Sequence, residues 1–408
     1  RCLRILPLFV LLFLFYFTIG QTLARSTHIF RTEWLSIDSP KIARTLTDPR
    51  YVPPKHRQLA HPLFALFFRP IGTPLARAFG GAHVAIAFNA FFAAAGLIAF
   101  LAVLRQLGLP EHLAWTYSSL LGVSTVHLLY GSLPETFIYA FASLVLMPLV
   151  FLGIESDRRF VGALAVVTFF SAGITLTNGV FGLLWLGARF WSHPKRQQLQ
   201  FALAFAGLTV AMLVAGLAMQ ASLYPRLTAF ASPDFFGSHA RFLSNEVFEH
   251  PLSFVGERLP YFLVHSVIAP AIVDNPHGTG DRYGLDLQAI PITWFPALLL
   301  YLPFVGMSLY VVYKDRRYAN RPFVVFALYF AYNVCLHMFY GASYEHLYGA
   351  HYAFALVGLF AFAFYARGDN DHGLSREQRI LRGLLLGLCL AVTINNLAFL
   401  YRILAADS

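Results

Sequence analysis

Long apolar segments separated by short polar stretches are the feature that most constrains this chain. The sequence is 58% hydrophobic and 12% charged over 408 residues, with a mean hydropathy of +0.60. A soluble domain carries roughly twice that share of charged residues. About 20 consecutive apolar residues form a helix that can cross the hydrocarbon core of a bilayer. The sequence therefore predicts an all-α, polytopic membrane protein that forms one integral-membrane domain over residues 1–408.

The apolar segments are accounted for by about eleven transmembrane helices. The first follows Arg1 and Arg4, a pattern shared with signal peptides, but its apolar run exceeds a usual signal core, so we expect a retained helix. The predicted spans are 3–23, 83–104, 112–130, 135–154, 160–176, 179–190, 201–223, 291–313, 323–340, 347–365 and 380–400. Two long outer loops are left between them, at 24–81 and 224–290.

Basic residues predict the orientation, because the cytoplasmic loops of membrane proteins are enriched in Lys and Arg. A cytoplasmic N-terminus puts basic pairs such as Arg158 with Arg159 on the inner side, and the three short outer connections then carry no Lys or Arg. The net charge of +10 is therefore explained by topology, and we expect no nucleic-acid partner. The compact architecture and the absence of N-x-S/T sequons favour a bacterial inner membrane.

The first outer loop is expected to contain two amphipathic helices. One follows Ser39 and has Pro40 in its first turn, where proline is well tolerated. The other begins near His61 and Pro62, and its phenylalanines predict that it lies in the membrane interface. The second outer loop holds the Gly-rich stretch PHGTGDRYG, which has no Gly-Lys-Ser/Thr step and is therefore a lid or a plain loop.

The predicted topology brings the polar motifs to the outer side, where an ionisable group at a membrane-embedded helix end is a functional candidate. A carboxylate there can act as general base towards an acceptor hydroxyl, and a basic loop beside it can hold a lipid phosphate. The uncharged and acidic candidates are Asp38, Asp48, His61, Glu135, Thr177, Asn178, His265, Tyr344, Glu345, His346 and His351. The basic candidates are Lys41, Arg44, Lys55, Arg57 and Arg69.

Several candidates also have a purely structural interpretation. Asp38 could be a helix N-cap, Asp48 a turn residue, and Glu135 a partner of a helix dipole. The step from His346 to His351 does not put both on one helix face, so we assign no metal ligands. We assign Asp38 and Glu135 as catalytic. The predicted substrate contacts are His61, Arg44, Lys55, Arg57, Arg69, Asn178, Tyr344, Glu345, His346 and His351.

The order of these features resembles the GT-C superfamily of integral-membrane glycosyltransferases. Asp38, in SIDSPKIARTL, matches the acidic residue that serves those families as catalytic base or metal contact, although many members have a paired acidic motif there. HPLF at 61–64 resembles their His-Pro step, and SLPET resembles their Pro-plus-acidic opening of an early span. The resemblance covers roughly the first half of the chain.

The resemblance implies a polyprenyl-phosphate-linked sugar donor and an inverting transfer to a lipid, glycan or protein acceptor. It names no certain cofactor, and a divalent cation is the one candidate. Two other functions stay open: a transporter or flippase of a lipid-linked or polar substrate, and a non-catalytic membrane assembly partner. A transporter would place ionisable groups near mid-membrane, whereas the predicted mid-span regions are almost free of charge.

Overall fold

The computed structural model describes residues 2–25, 39–227, 251–269, 271–274, 283–286, 291–340, 348–365 and 374–406. Most of these residues are helical. The helices are α1 (Cys2–Arg25), α2 (Ser39–Thr47), α3 (Lys55–Ala60), α4 (Phe64–Phe79), α5 (Gly81–Gln106), α6 (Glu111–Gly122), α7 (Thr125–Ser132), α8 (Thr136–Gly153), α9 (Asp157–Ile174), α10 (Gly179–Phe190), α11 (Lys195–Leu223), α12 (Pro251–Pro260), α13 (Trp294–Lys314), α14 (Arg321–Phe339), α15 (Gly349–Ala361) and α16 (Arg376–Ala406).

One short antiparallel pair of strands interrupts the helical pattern. It joins β1 (Ala271–Asp274) to β2 (Tyr283–Asp286), with Ala271 opposite Asp286. The described part of the chain is mainly helical, so the predicted all-α class is confirmed, and this small hairpin inside the second long loop is an addition that the sequence did not predict. The residues between the strands belong to the Gly-rich stretch and lie outside the described residues, so the choice between a lid and a plain loop stays a prediction.

Seven helices among the described residues are long and apolar enough to cross a membrane, which makes the chain a multi-pass helical membrane protein. They are Ile5–Arg25 within α1, then α5, α8, α11, α13, α14 and Arg376–Ala405 within α16. The other predicted spans coincide with helices that are shorter, interrupted or charged at one end, namely α6 with α7, α9, α10 and α15. The total of eleven spans stays a prediction.

The third predicted span is broken in the middle, between α6 and α7. Ser124 Oγ donates to the carbonyl of Leu121 at 2.6 Å, a local bond that competes with the helical ladder. The backbone N–H of Thr125 donates to the carbonyl of Val267 at 3.1 Å instead of continuing the helix. Hydrophobicity alone predicted one straight helix because most residues around the break are apolar.

Two adjacent buried asparagines on α16, which we call the amide pair, tie distant segments together. Asn396 Nδ2 donates to the carbonyls of Val123 and Val267, both at 2.8 Å, and its Oδ1 accepts from the N–H of Ala269 at 2.8 Å. Asn395 Nδ2 donates to the carbonyl of Ala269 at 3.0 Å. The amide pair therefore satisfies backbone groups at the break after α6, as burial in an apolar bundle requires.

The core of the bundle is formed by α5, which packs along α1 and α8. The approach of α5 to α8 depends on Gly96, since a Cβ there would lie 2.4 Å from the ring of Phe141. Asn89 of α5 donates to the carbonyls of Tyr130, Leu133 and Glu135 at 2.7–3.1 Å. This bonding fixes the short turn that leads into α8.

The helices of the first long loop begin where the sequence predicts, and the first turns of α4 are buried against the bundle. Pro40 lies in the first turn of α2, and α4 begins at Phe64. Phe64, Leu66 and Phe68 are only 1%, 6% and 4% exposed, and the rings of Phe64 and Phe68 lie 5.1 and 4.8 Å from the ring of Tyr139. These side chains pack against the bundle, whereas Ile71 and Phe79 of the same helix are 55% and 67% exposed. That α4 lies in the membrane interface stays a prediction. An apolar face does not reveal whether protein or lipid covers it.

Candidate functional site

A cleft opens where the first long loop meets the bundle, and we call it the α2–α4 cleft. Its free volume is about 360 Å³, counted out to the open mouth. Its polar lining comes from α3, the turn before α4, the start of α8 and the end of α11, and apolar side chains complete the wall. The lining residues are Ile42, Thr45, Pro53, Arg57, Gln58, His61, Pro62, Phe64, Ala65, Thr136, Gln220 and Leu227.

Glu135 lies behind this cleft as the N-cap residue of α8. It is 2% exposed, and its carboxylate accepts a hydrogen bond from the backbone N–H of Thr136 at 3.2 Å. Burial raises the pKa of Glu135 from 4.5 to about 7, while Arg57, the Thr136 N–H and Lys41 act in the opposite direction. The helix-cap interpretation is therefore correct as far as it goes, but a carboxylate with a pKa near neutrality can also exchange a proton under ordinary conditions.

His61 joins the first loop to the bundle. Its Nδ1 lies 2.8 Å from the carbonyl oxygen of Ile174, and its Nε2 lies 3.4 Å from Thr136 Oγ1. A carbonyl can only accept, so Nδ1 carries the proton of the neutral ring and Nε2 carries the lone pair. Burial and the nearby charge of Arg57 lower the pKa of His61 well below its usual range. His61 is therefore neutral at pH 7.

The predicted phosphate-binding residues of the loop have different surroundings. Arg57 is half-buried and lines the cleft, whereas Lys55 and Arg44 are exposed, with the Arg44 guanidinium 4.2 Å from the centre of the Tyr51 ring. Arg69 is 2% exposed and donates to the backbone carbonyls of Thr45 and Tyr51 at 2.8 and 3.1 Å. Arg69 therefore holds the loop together, and we leave it out of the proposed substrate contacts.

A cluster of buried histidine and aromatic rings adjoins the site from the other side. His351 is 1% exposed, and its ring lies 5.2 Å from the ring of Phe137, two residues after Glu135. His337 of α14 stacks on Tyr348 at 3.8 Å between ring centres. His351 is also close enough to His61 for their charges to interact. The structure thus brings together His61, Glu135 and His351, which the sequence places far apart.

The remaining candidates among the described residues lie elsewhere. Asp48 accepts from the backbone N–H of Arg50 at 2.9 Å, the turn geometry that its sequence context predicts. Asn178 is buried with Nδ2 3.5 Å from the carbonyl of Ser171, and the Tyr332 hydroxyl lies 3.5 Å from the carbonyl of Thr177. These bonds close the turn between α9 and α10.

His265 is stacked over Trp294, with 6.0 Å between ring centres. It belongs to the wide turn Tyr261–His265 rather than to the cleft. The four other candidates, Asp38, Tyr344, Glu345 and His346, lie outside the described residues. Within the described ranges, no group of three or more His, Cys, Asp or Glu side chains could hold a metal ion.

Sequence reasoning missed several residues of the site, among them Thr136, Gln220 and His337. Thr136 and Gln220 line the cleft, and His337 belongs to the ring cluster. Gln220 is a polar residue near the end of the long apolar part of α11, which is a usable signal. Thr136 stands beside Glu135 in the first turn of α8, so it was within reach of the SLPET motif.

Taken together, these residues can bind an anion and donate or accept a proton. Arg57 offers a guanidinium in the cleft, Glu135 offers a carboxylate behind it, and His61 offers a neutral acceptor. No protein-family model matches the chain, and no curated protein matches it.

Proposed function

We infer that this protein is a membrane glycosyltransferase that moves a sugar from a polyprenyl-phosphate carrier to an acceptor hydroxyl. The observation that carries this proposal is the α2–α4 cleft, in which Arg57 lines a partly apolar wall with the buried carboxylate of Glu135 close by. A phosphate with a lipid tail requires a cation and an apolar surface side by side, and the cleft has both.

In the proposed reaction, the bond between the anomeric carbon and the phosphate oxygen breaks while the acceptor oxygen attacks the opposite face of that carbon. The bonding electrons leave with the polyprenyl phosphate, whose charge Arg57 balances. The acceptor hydroxyl loses its proton to a carboxylate acting as general base. One displacement inverts the anomeric configuration, as the resemblance to the GT-C superfamily implies.

Asp38 is the proposed general base. It lies outside the described residues, but the next residue, Ser39, begins α2, and Ile42 and Thr45 of α2 line the cleft. Glu135 is the proposed second carboxylate, which keeps the cationic groups Arg57 and Lys41 in place. A cytoplasmic N-terminus, eleven spans and a bacterial inner membrane complete the proposal and rest on the basic-residue pattern.

The test is sugar transfer by the purified protein, supplied with polyprenyl-phosphate sugars and candidate acceptors. Asp38→Asn should lower the transfer rate by about 10²–10⁴-fold, the usual contribution of a general base. Asp48→Asn is the matched control, because Asp48 lies in the same loop but is engaged in a turn, and it should retain transfer.

Two results would count against the proposal. Equal transfer by wild type and Asp38→Asn would remove Asp38 from the base role. Movement of the lipid-linked sugar across a proteoliposome membrane, with no sugar consumed, would favour the transporter.

A further inference from the structure

The α2–α4 cleft contains a buried hydrogen-bond acceptor whose donor is missing. Gln220 Nε2 donates to the carbonyl oxygen of Pro62 at 2.7 Å. A carbonyl can only accept, so the orientation of the amide is fixed and Oε1 is the atom left over. That Oε1 is buried and has no hydrogen-bond partner within the described part of the chain, although Gln220 is only 4% exposed.

His61 supplies a second acceptor in the same cleft. Its Nδ1–H is occupied by the carbonyl of Ile174 at 2.8 Å, which leaves the Nε2 lone pair. The only contact to Nε2 among the described residues is the hydroxyl of Thr136 at 3.4 Å, longer than a good hydrogen bond. Both acceptors lie in one cleft, and both are held in place by bonds to backbone carbonyls.

Gln220 Oε1 and His61 Nε2 both accept hydrogen bonds, so a ligand at this place must donate them. Native proteins seldom leave a buried acceptor without a donor, because the lost bond to water is then not replaced. A phosphate oxygen cannot supply the donor, since an ionised phosphate only accepts. An ammonium group could donate, but the positive charge of Arg57 lies near His61 and disfavours it. Neutral donors remain, and in a lipid-linked sugar these are the sugar hydroxyls.

We propose that His61 Nε2 and Gln220 Oε1 form a hydroxyl-binding subsite that takes hydrogen bonds from the sugar of the lipid-linked donor. This assignment rests on the proposed function and divides the cleft into two parts. Arg57 binds the phosphate, while the two acceptors bind the hydroxyls and thus distinguish the sugar-bearing lipid from the bare phosphate. The discrimination follows from pairing buried polar atoms, which is an effective basis for selecting a hydroxyl.

The variant His61→Asn tests the acceptor at His61 Nε2 separately from the rest of the side chain. The asparagine amide nitrogen takes the place of Nδ1 and keeps the bond to the Ile174 carbonyl, while the acceptor at Nε2 is lost. Gln220→Met is the second variant, because it keeps the side-chain volume and removes the amide, that is, Oε1 together with the bond from Nε2 to the Pro62 carbonyl. His193→Asn is the matched control, since His193 pairs with Asp157 at 3.3 Å and lies away from the cleft.

The measurement is equilibrium binding in detergent micelles of two sets of probes. One is a long-chain polyprenyl phosphate, and the other is a panel of the same lipid phosphate carrying single neutral hexoses or pentoses. We expect wild type and His193→Asn to bind at least one sugar-bearing lipid more tightly than the bare phosphate. His61→Asn and Gln220→Met should each weaken that binding about fivefold to tenfold, as loss of one neutral hydrogen bond predicts, and leave the bare phosphate unchanged.

The outcomes separate the two proposals. If the protein binds polyprenyl phosphates but neither variant changes the preference for the sugar-bearing lipids, the subsite assignment is overturned and the function survives. An equal loss for both kinds of lipid also overturns it, because the residues would then act on the phosphate or on the fold. If no polyprenyl phosphate binds, the proposed function fails and the subsite fails with it.

Discussion

At the scale of single residues, Glu135 shows how a helix cap can carry more than a structural role. Its carboxylate sits at the start of α8, bonded to the Thr136 N–H, in a position that favours negative charge. Burial disfavours the ionised carboxylate more strongly than the helix start, Arg57 and Lys41 favour it. The pKa of Glu135 therefore rises to about 7. Ionisation of Glu135 therefore lowers the stability of the folded state. Destabilising groups of this kind are common at functional sites.

This cost gives a pH-dependent prediction for Glu135→Gln. The pKa rises from 4.5 to about 7 on folding, so ionisation destabilises the folded state as pH increases through that window, and the penalty is constant above it. Glutamine resembles the protonated acid and avoids the penalty. Thermal unfolding in detergent should give equal midpoints for wild type and variant below pH 4.5, and a more stable variant at pH 8, by about 3 kcal/mol.

The control for Glu135→Gln is the same substitution at an exposed carboxylate. Glu111, which pairs with Arg105 at the protein surface, serves as Glu111→Gln. It should show no stabilisation at pH 8. A midpoint for Glu135→Gln that falls below wild type at pH 8 would mean that the ion pair with its basic neighbours outweighs burial.

The sequence predicted several residues of this site, but it did not predict their contacts. Glu135 and His61 were found because charged or polar residues are rare in an apolar chain. Gln220 and His351 come from helices far along the chain, and their place in the site depends on how those helices pack. The structural role of Arg69 could not be predicted from the sequence either. Its two hydrogen-bond partners are backbone carbonyls, and every residue has one.

At the scale of elements, the described part of the first long loop, residues 39–81, forms a folded unit against the bundle. The helix α2 packs closely on α4, where a Cβ on Gly72 would come within 2.5 Å of the Leu46 carbonyl oxygen. Arg69 of α4 then holds the end of α2 and the turn at Tyr51. The positions of α2 and α4 followed from Pro40 and the His-Pro step, whereas their burial followed from packing that no local pattern reports.

The variant Arg69→Lys tests this unit. A single ammonium cannot reproduce the forked geometry that reaches both carbonyls, so one buried acceptor loses its donor. We expect faster amide hydrogen exchange over residues 42–60 and a loss of about 2 kcal/mol in the stability of this segment.

Arg77→Lys is the matched control on the same helix, since Arg77 is exposed. It should leave exchange unchanged. If Arg69→Lys also leaves exchange over 42–60 unchanged, the guanidinium does not hold the loop.

At the scale of the whole molecule, the two ends of the bundle differ in chemistry. One end carries the α2–α4 cleft and the ring cluster. The other is joined by charged contacts, such as Lys314 with Glu377 at 2.6 Å and Arg189 with Asp157 at 3.0 Å. At that second end, Arg317 also donates to the carbonyls of Phe362, Ala363 and Tyr365. The basic residues that predict orientation thus also cap helix ends.

This separation predicts the sidedness of two exposed positions. In a background without the native cysteines, Arg50→Cys should react with a membrane-impermeant maleimide added to intact spheroplasts. Ala319→Cys, in the turn between α13 and α14, should react only after the membrane is permeabilised. The reverse pattern would invert the topology, and labelling of both positions from outside would contradict the separation of the ends.

The amide pair on α16 has a consequence for how the protein is made. A ribosome makes the chain from its N-terminus, so α6 and α7 are synthesised long before Asn395 and Asn396. Until then the Val123 carbonyl and the segment at 267–269 lack the donors and acceptors that the finished protein gives them. Buried backbone groups without partners are costly, so these segments need the side chains of α16 to complete their hydrogen bonds. The bonds that join them can therefore form only after α16 has been made.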